Sequence, residues 1–230
     1  MKNSFIKSPR VENEQVLLYA PGSKEREEVL KAYDDLYNTK IDIKLKIDGR
    51  EIDTKEKNNM YPPHNHNHNL GTYSIANKEY VDLAIKSALT AKEKWNDLGF
   101  SERASIFLKA AELICGPYRK IINASTMIAQ SKTIHQAEID AACEFADFLR
   151  FNVKFAEEIY SEQPVSSDGT WNKLSYRPLE GFVYAISPFN FTAIGGNLCA
   201  APALMGNTIV WKPSDYQIFS AKVTMDIFEE

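Results

Sequence analysis

The sequence is sparing with cysteine: three in 230 residues, an odd number, with no secretory signal ahead of them. That argues against a disulfide-built secreted domain and favours a reducing compartment. Charge of neither sign is in excess. Lys and Arg total 27 against 31 Asp and Glu, a net charge of −4, so the basic face of a nucleic-acid-binding domain is not indicated. The dinucleotide fingerprint G-x-G-x-x-G is absent, and the pair Gly195-Gly196 is read instead as close packing of a helix on a sheet. No uninterrupted apolar span occurs. Glu180 and Lys212 enclose a run without charge, but Pro188, Asn190, Gly195, Gly196, Asn197, Pro202, Gly206 and Asn207 break it. In lipid such a backbone would leave polar groups unsatisfied, so the run is read as a buried core unit and not as a membrane span. Met1–Arg10 is basic and lacks the apolar stretch of a signal peptide, so it reads as a poorly ordered terminus. His64, His66 and His68 alternate with no cysteine nearby, a spacing foreign to zinc sites, and no metal is expected.

What is present is organised around 180–215, EGFVYAISPFNFTAIGGNLCAAPALMGNTIVWKPSD. Gly181–Ser187 is a short apolar run suited to a strand buried on both faces, and Pro188 ends it. Thr192–Met205 fits a helix with Gly206 at the left-handed cap. Thr208–Trp211 is a second buried strand, ended by Pro213, and Ser214 is placed to cap the helix beginning near Asp215. This is a βαβ unit, so its strands are parallel and their carboxyl ends share one edge. Ligands of open α/β sheets bind outside that edge. Ser187 and Asn190 follow the first strand there; Lys212, Ser214 and Asp215 follow the second. Lys212 suits a ribose hydroxyl or phosphate, and the Asn190 amide, in an apolar turn, suits an oxyanion. A strand-end Lys is also commonly a solvated charge and a loop Asn a turn former, so geometry alone leaves both readings open.

The remainder reads as a lead-in. An extended Val11–Pro21 precedes a helix over Lys24–Asn38, capped by Ser23, with Leu30, Tyr33 and Tyr37 near one face. Ile41–Ile47 alternates as one strand, and Asp48-Gly49 turns it into a hairpin. Asn58–Leu70 is a loop by composition, and Gly71–Ala76 a strand. Helices follow from the Asn77 cap to Trp95, from Ser101 to Gly116-Pro117, and over Tyr118–Gln130. A long one spans Thr133–Tyr160, Gln163–Thr170 is a loop, and Leu174–Pro178 a short strand. The division is an extension over 1–76 and, over 77–230, a run of helices leading into the βαβ unit. Cys115 at a helix end, and Cys143 and Cys199 among apolar residues, read as structural.

SPFNF, the Gly-Gly helix, ALMGN and WKPSD resemble the aldehyde dehydrogenase superfamily. FLKAAELICGPYR, QAEIDAACEFADFLRFN and ISPFNFTAIGGNL narrow the resemblance to its Δ1-pyrroline-5-carboxylate (glutamate γ-semialdehyde) dehydrogenase branch. Phe189 and Thr192 replace the usual Trp and second Pro of the superfamily's strand-end motif, as in that branch. The resemblance implies an α/β fold: a helical lead-in and the start of a Rossmann-like NAD-binding domain. It implies Asn190 as the side-chain half of an oxyanion hole, Lys212 on the adenosine ribose of NAD, and Asp215 where most of the superfamily has Glu. Ser187 and Ser214 join these as cofactor-edge residues. Phe191 is implied as a wall of the aldehyde pocket and Glu138 as a tunnel residue near the substrate's amino group. The implied activity is NAD-dependent oxidation of glutamate γ-semialdehyde to glutamate in proline breakdown, by a homo-oligomer, in the mitochondrial matrix of a eukaryote or the cytoplasm otherwise. In that family the nucleophilic Cys and general-base Glu lie beyond the position of Glu230, so the expectation is an N-terminal part that is inactive alone. The alternative is a truncated, non-catalytic chain serving as an NAD-binding or subunit-interaction module.

Overall fold

The computed structural model describes residues 7–230. In chain order the elements are α1 (Lys24–Asn38), β1 (Ile41–Ile43), β2 (Leu45–Ile47), β3 (Arg50–Ile52), β4 (Lys57–Met60), β5 (Gly71–Ser74), α2 (Lys78–Asp97), α3 (Phe100–Cys115) and α4 (Arg119–Gln130). Then come α5 (Ile134–Ala137), a π-helical segment (Glu138–Glu144), α6 (Phe145–Ser161), β6 (Val183–Ile186), α7 (Thr192–Leu204), β7 (Ile209–Lys212), a 3₁₀ turn (Asp215–Gln217) and α8 (Ile218–Glu229).

Local chemistry sets many of these boundaries. Ser23 accepts from Arg26 N and Asn77 from Tyr80 N, so α1 and α2 begin where a side-chain oxygen satisfies a free N–H. Asp48 and Gly49 both take positive φ, 55° and 68°, the conformation of a two-residue hairpin turn, and β2 and β3 pair antiparallel across it. The expected single strand over Ile41–Ile47 is two. β1 pairs with β5 in parallel while β2 pairs with β3. Alternation in IDIKLKI is the same on both sides of Lys44 and carries no information about which partner each half takes. The Asn-rich loop is also shorter than composition suggests, because β4 pairs antiparallel with β5, Met60 opposite Gly71. Gly71 sits at φ +126°, and a Cβ there would lie 1.8 Å from the Ile41 carbonyl oxygen. The β1–β5 approach therefore requires glycine. On α1 the core residue is Val29, 1% exposed, while Leu30 is 47% exposed.

The expected long helix over Thr133–Tyr160 is helical throughout, but Glu138–Glu144 winds as π-helix. This shifts the phase of the face it presents. Thr133 and Gln136 form a reciprocal capping box at its start. Phe145, fully buried, heads the main cluster with Phe107, Ile114, Leu149, Leu204 and Ile227 from α3, α6, α7 and α8. A second cluster joins Met60, Leu70 and Tyr73 of the lead-in to Ile128 and Phe219 of α4 and α8. Gly196 explains the glycine pair: a Cβ there would meet Phe145 Cζ at 2.1 Å, while Gly195 faces Gln217. The close packing is of helix on helix side chains, not of helix on sheet.

Further expectations about strands fail: β7, expected to be buried, is only half-buried over 209–211. Leu174–Pro178 forms no strand. The Gln163 side chain takes its ladder bonds instead, accepting from Leu174 N at 2.9 Å and donating to its carbonyl at 3.3 Å. β6 is not buried on both faces. Ala185 is covered, but Tyr184 and Ile186 are 56% and 61% exposed. β6 and β7 pair in parallel as a two-stranded sheet, with Val210 half-buried beside the exposed Tyr184.

The lead-in is tied down by charge. Of the terminus expected to be poorly ordered, Met1–Ile6 lie outside the described residues, but Ser8 N donates to Glu157 at 2.8 Å. Glu14 accepts from Arg119 at 2.9 Å and Arg150 at 2.7 Å. Burial works to raise the Glu14 carboxyl, but hydrogen bonds from Arg150, Cys115 and Arg119 outweigh it and hold it at about 2.

A carboxyl lowered by folding stabilises above its unfolded value, 4.5, and that stability is lost as pH falls towards 2. Proteolytic release of the lead-in is therefore expected to rise across this window. Glu14→Gln should weaken attachment at neutral pH and flatten that part of the profile; an unchanged profile contradicts the clamp. Gly196→Ala is expected to lower stability by about 1–3 kcal/mol through overpacking on Phe145, read as a drop in the unfolding temperature of the complete protein. A neutral result would mean that α6 and α7 separate freely.

Candidate functional site

The parallel register of β6 and β7, Ile186 opposite Lys212, brings the five expected edge residues to one end of the unit. Ser187 is buried, its hydroxyl accepting from Trp211 Nε1 at 3.0 Å. Lys212 is the last residue of β7, with its side chain 53% exposed and its ammonium 3.6 Å from the Asp215 carboxylate. An exposed pair of this kind is weak in water, so either member can turn to a ligand. Ser214 makes no side-chain cap bond. α8 is entered through the 3₁₀ turn, with Gln217 N donating to the Ser214 carbonyl. Tyr73 was not read from the sequence. Burial is the main cause that raises its hydroxyl, and the Asp215 charge adds to it, which places the lead-in sheet beside the same edge.

Asn190 is exposed. Its side chain receives no hydrogen bond from the described residues, so the amide is open to solvent and to a ligand. The turn beneath it is nonetheless fixed. α7 begins directly after Phe191 with no local side-chain cap; its first N–H groups, of Thr192 and Ala193, donate to the two carboxylate oxygens of Asp140, each at 3.0 Å. Asp140 is buried and also accepts from Lys132 at 2.7 Å. The Lys132 ammonium stands 4.3 Å from the centroid of the Phe191 ring, and the Phe191 carbonyl accepts from Gln217 Nε2 at 2.7 Å. Lys132, Asp140 and Gln217 went unread in the sequence. One signal was there: α7 opens without a Ser, Thr, Asp or Asn immediately before it, so its cap had to come from elsewhere.

Glu138 does not join this edge. It is fully buried and accepts from Leu17 N at 2.9 Å, Tyr19 Oη at 2.7 Å, Asn123 Nδ2 at 2.7 Å and from Arg119. Burial would raise its carboxyl, but Arg119 and the other donors hold it below the usual range. Its lone pairs are taken up within the chain, and what it organises is the seat of the lead-in. Burial pushes each cysteine thiol up to about 12, helped at Cys115 by Glu14 and at Cys143 by Glu138. The expectation of structural cysteines accords with this. His64 bonds Ser131 and Tyr33, while His68 stacks on Tyr37 with centroids 3.8 Å apart. His64 and His68 thus both turn to protein partners and share Tyr37.

The edge therefore offers an exposed ammonium with a carboxylate beside it, and, a short turn away, an open amide donor next to an aromatic wall. A model of the aldehyde dehydrogenase family matches residues 51–230. A probable delta-1-pyrroline-5-carboxylate dehydrogenase of Schizosaccharomyces pombe is 48% identical over 227 residues, covering 98% of this chain and 41% of its own. The human mitochondrial delta-1-pyrroline-5-carboxylate dehydrogenase is 46% identical, covering 97% of this chain and 40% of its own. The crystal structure of the Delta-pyrroline-5-carboxylate dehydrogenase of Mycobacterium tuberculosis bound with NAD is similar at TM-score 0.97 and 47% identity, over 99% of this chain and 43% of its own. The chain thus spans about two fifths of the length of the curated relatives it matches. With the family model matching most of its length, the chain belongs to the aldehyde dehydrogenase family.

Proposed function

We propose that this chain forms the amino-terminal part of an NAD-dependent enzyme that oxidises L-glutamate γ-semialdehyde, the open form of Δ1-pyrroline-5-carboxylate, to L-glutamate. The observation that carries the reading is the placement of a free Asn190 amide just past β6 and an exposed Lys212 at the carboxyl end of β7, the two strands being in parallel register. The names of the relatives supply the substrate and the cofactor.

The residues present fit the cofactor: Lys212 and Asp215 put a donor and an acceptor 3.6 Å apart on an exposed strand end, the complement of a ribose diol. NAD, when bound, accepts the hydride. Lys212 holds the ribose, with Ser187 bracing Trp211 behind it and Ser214 shaping the turn that follows. Asn190 donates to the aldehyde oxygen as negative charge develops on it, and a preorganised donor is worth most in a dry, apolar setting. Phe191 walls the aldehyde, and Glu138 orders the surrounding scaffold. The attacking thiol of this family chemistry is not assigned to Cys115, Cys143 or Cys199, whose thiols burial pushes up to about 12.

The same proposal takes 1–76 as an extension and 77–230 as the first part of the cofactor domain. It takes the exposed stretch with Val165 at 91% and Trp171 at 88% as a subunit contact of a homo-oligomer. It places the enzyme in the mitochondrial matrix if the source is a eukaryote.

In the complete enzyme Asn190→Ala is expected to lower kcat by about 10²–10³-fold while leaving NAD affinity in place; an unchanged kcat would sink the oxyanion role. The 230-residue chain alone is expected to show no NADH formation with Δ1-pyrroline-5-carboxylate and to aggregate through the open face of β6. A monomeric, turning-over preparation would contradict this.

A further inference from the structure

The turn carrying Asn190 and Phe191 hangs on a buried ion pair that does two jobs at once. Asp140, 2% exposed, takes the first two amides of α7 on its two oxygens. Lys132, its side chain 15% exposed, neutralises Asp140 and lays its ammonium against the face of Phe191. Capping α7 needs only the carboxylate. The cation over the ring is an additional constraint, and it falls on the residue that walls the aldehyde pocket. Phe191 is 37% exposed, so packing encloses its ring only in part. Gln217 fixes the backbone of the same residue from the opposite strand's side.

We infer that Lys132 and Asp140 are positioning residues for aldehyde oxidation. Asp140 fixes where α7 starts, Lys132 fixes the plane of the Phe191 ring, and together they hold the turn on which Asn190 stands. This rests on the proposed activity. Neither residue touches the reacting atoms; they act through Phe191 and Asn190. A displacement of about 1 Å at such a turn is enough to cost about 100-fold in rate.

The test uses the complete enzyme and three substitutions. Lys132→Met removes the cation and the bond to Asp140. Lys132→Gln keeps a hydrogen-bond donor without the cation, and stands in if the Met variant fails to fold. Lys132→Arg keeps both. For the Met and Gln variants kcat is expected to fall by about 10–100-fold, with NAD Kd within about twofold of the parent and most of the rate restored by Arg. A crystal structure of either variant should show the Phe191 ring in a different rotamer or in several. The inference is overturned if kcat and the ring are unchanged. It is equally overturned if rate and NAD affinity fall together with Arg no better than Met, the mark of a general structural role. If the parent enzyme oxidises no aldehyde, the proposed function falls, while the Phe191 rotamer still decides whether Lys132 positions the ring.

Discussion

The buried carboxylate of Asp140 is the interaction on which the candidate site depends. A buried charge is tolerated only when it is paired and hydrogen-bonded, and Asp140 meets this with Lys132 and the first two amides of α7. Those amides are the positive end of a helix dipole, where an anion is stabilised. The opposite end of α7 is treated in the complementary way. Arg103, 5% exposed, donates Nε to the Leu204 carbonyl at 2.9 Å and Nη1 to Leu98 and Asn96, and Trp95 Nε1 donates to Ala203 at 2.8 Å. The helix between the two strands is thus held by an acid at its start and a base at its end. Its interior is small enough, at Gly195 and Gly196, to sit directly on Gln217 and Phe145. The strand ends, and the side chains beyond them, inherit that rigidity.

The π segment links this anchor to the lead-in. Its first residue, Glu138, faces Tyr19, Asn123 and Arg119; its third, Asp140, faces α7. In one short stretch two buried acids point to separate networks, one clamping residues 14–19 and the other the Asn190 turn. Arg119 also bonds Glu14 and the Gln15 carbonyl, so the lead-in closes over the same charged group that satisfies Glu138.

Much of the fold was legible because its signals are local. Ser23, Asn77, Asp48-Gly49 and Gly206 act on backbone within a few residues of themselves, and each marks a boundary where sequence reading placed it. The βαβ unit was legible from Pro188, Gly206 and Pro213 bounding its apolar runs. What was not legible depends on distant partners. Lys44 divides one alternating run because β1 and β2 pair with different strands. Asn58 and Asn59 lie in β4 because Tyr73 and Thr72 lie opposite. Leu174 stays out of a ladder because Gln163 occupies its polar groups. Of the site, the edge residues Ser187, Asn190, Lys212, Ser214 and Asp215 were legible from strand polarity. The residues that aim them were not, since Asp140 caps a helix that begins 52 positions further on. Glu138 was singled out only by the family resemblance, and only the structure shows Tyr19, Asn123 and Arg119 around it.

β6 leaves Tyr184 and Ile186 exposed, and the Asn190 amide that follows it is open to a ligand. The most direct test is a crystal structure of the complete enzyme with NAD and an unreactive substrate analogue. The account predicts the adenosine ribose on Lys212, the Asn190 amide directed at the oxygen of the analogue, and Phe191 beside it under Lys132. A cofactor bound away from the carboxyl ends of β6 and β7, or an Asn190 side chain turned from the analogue, would contradict it.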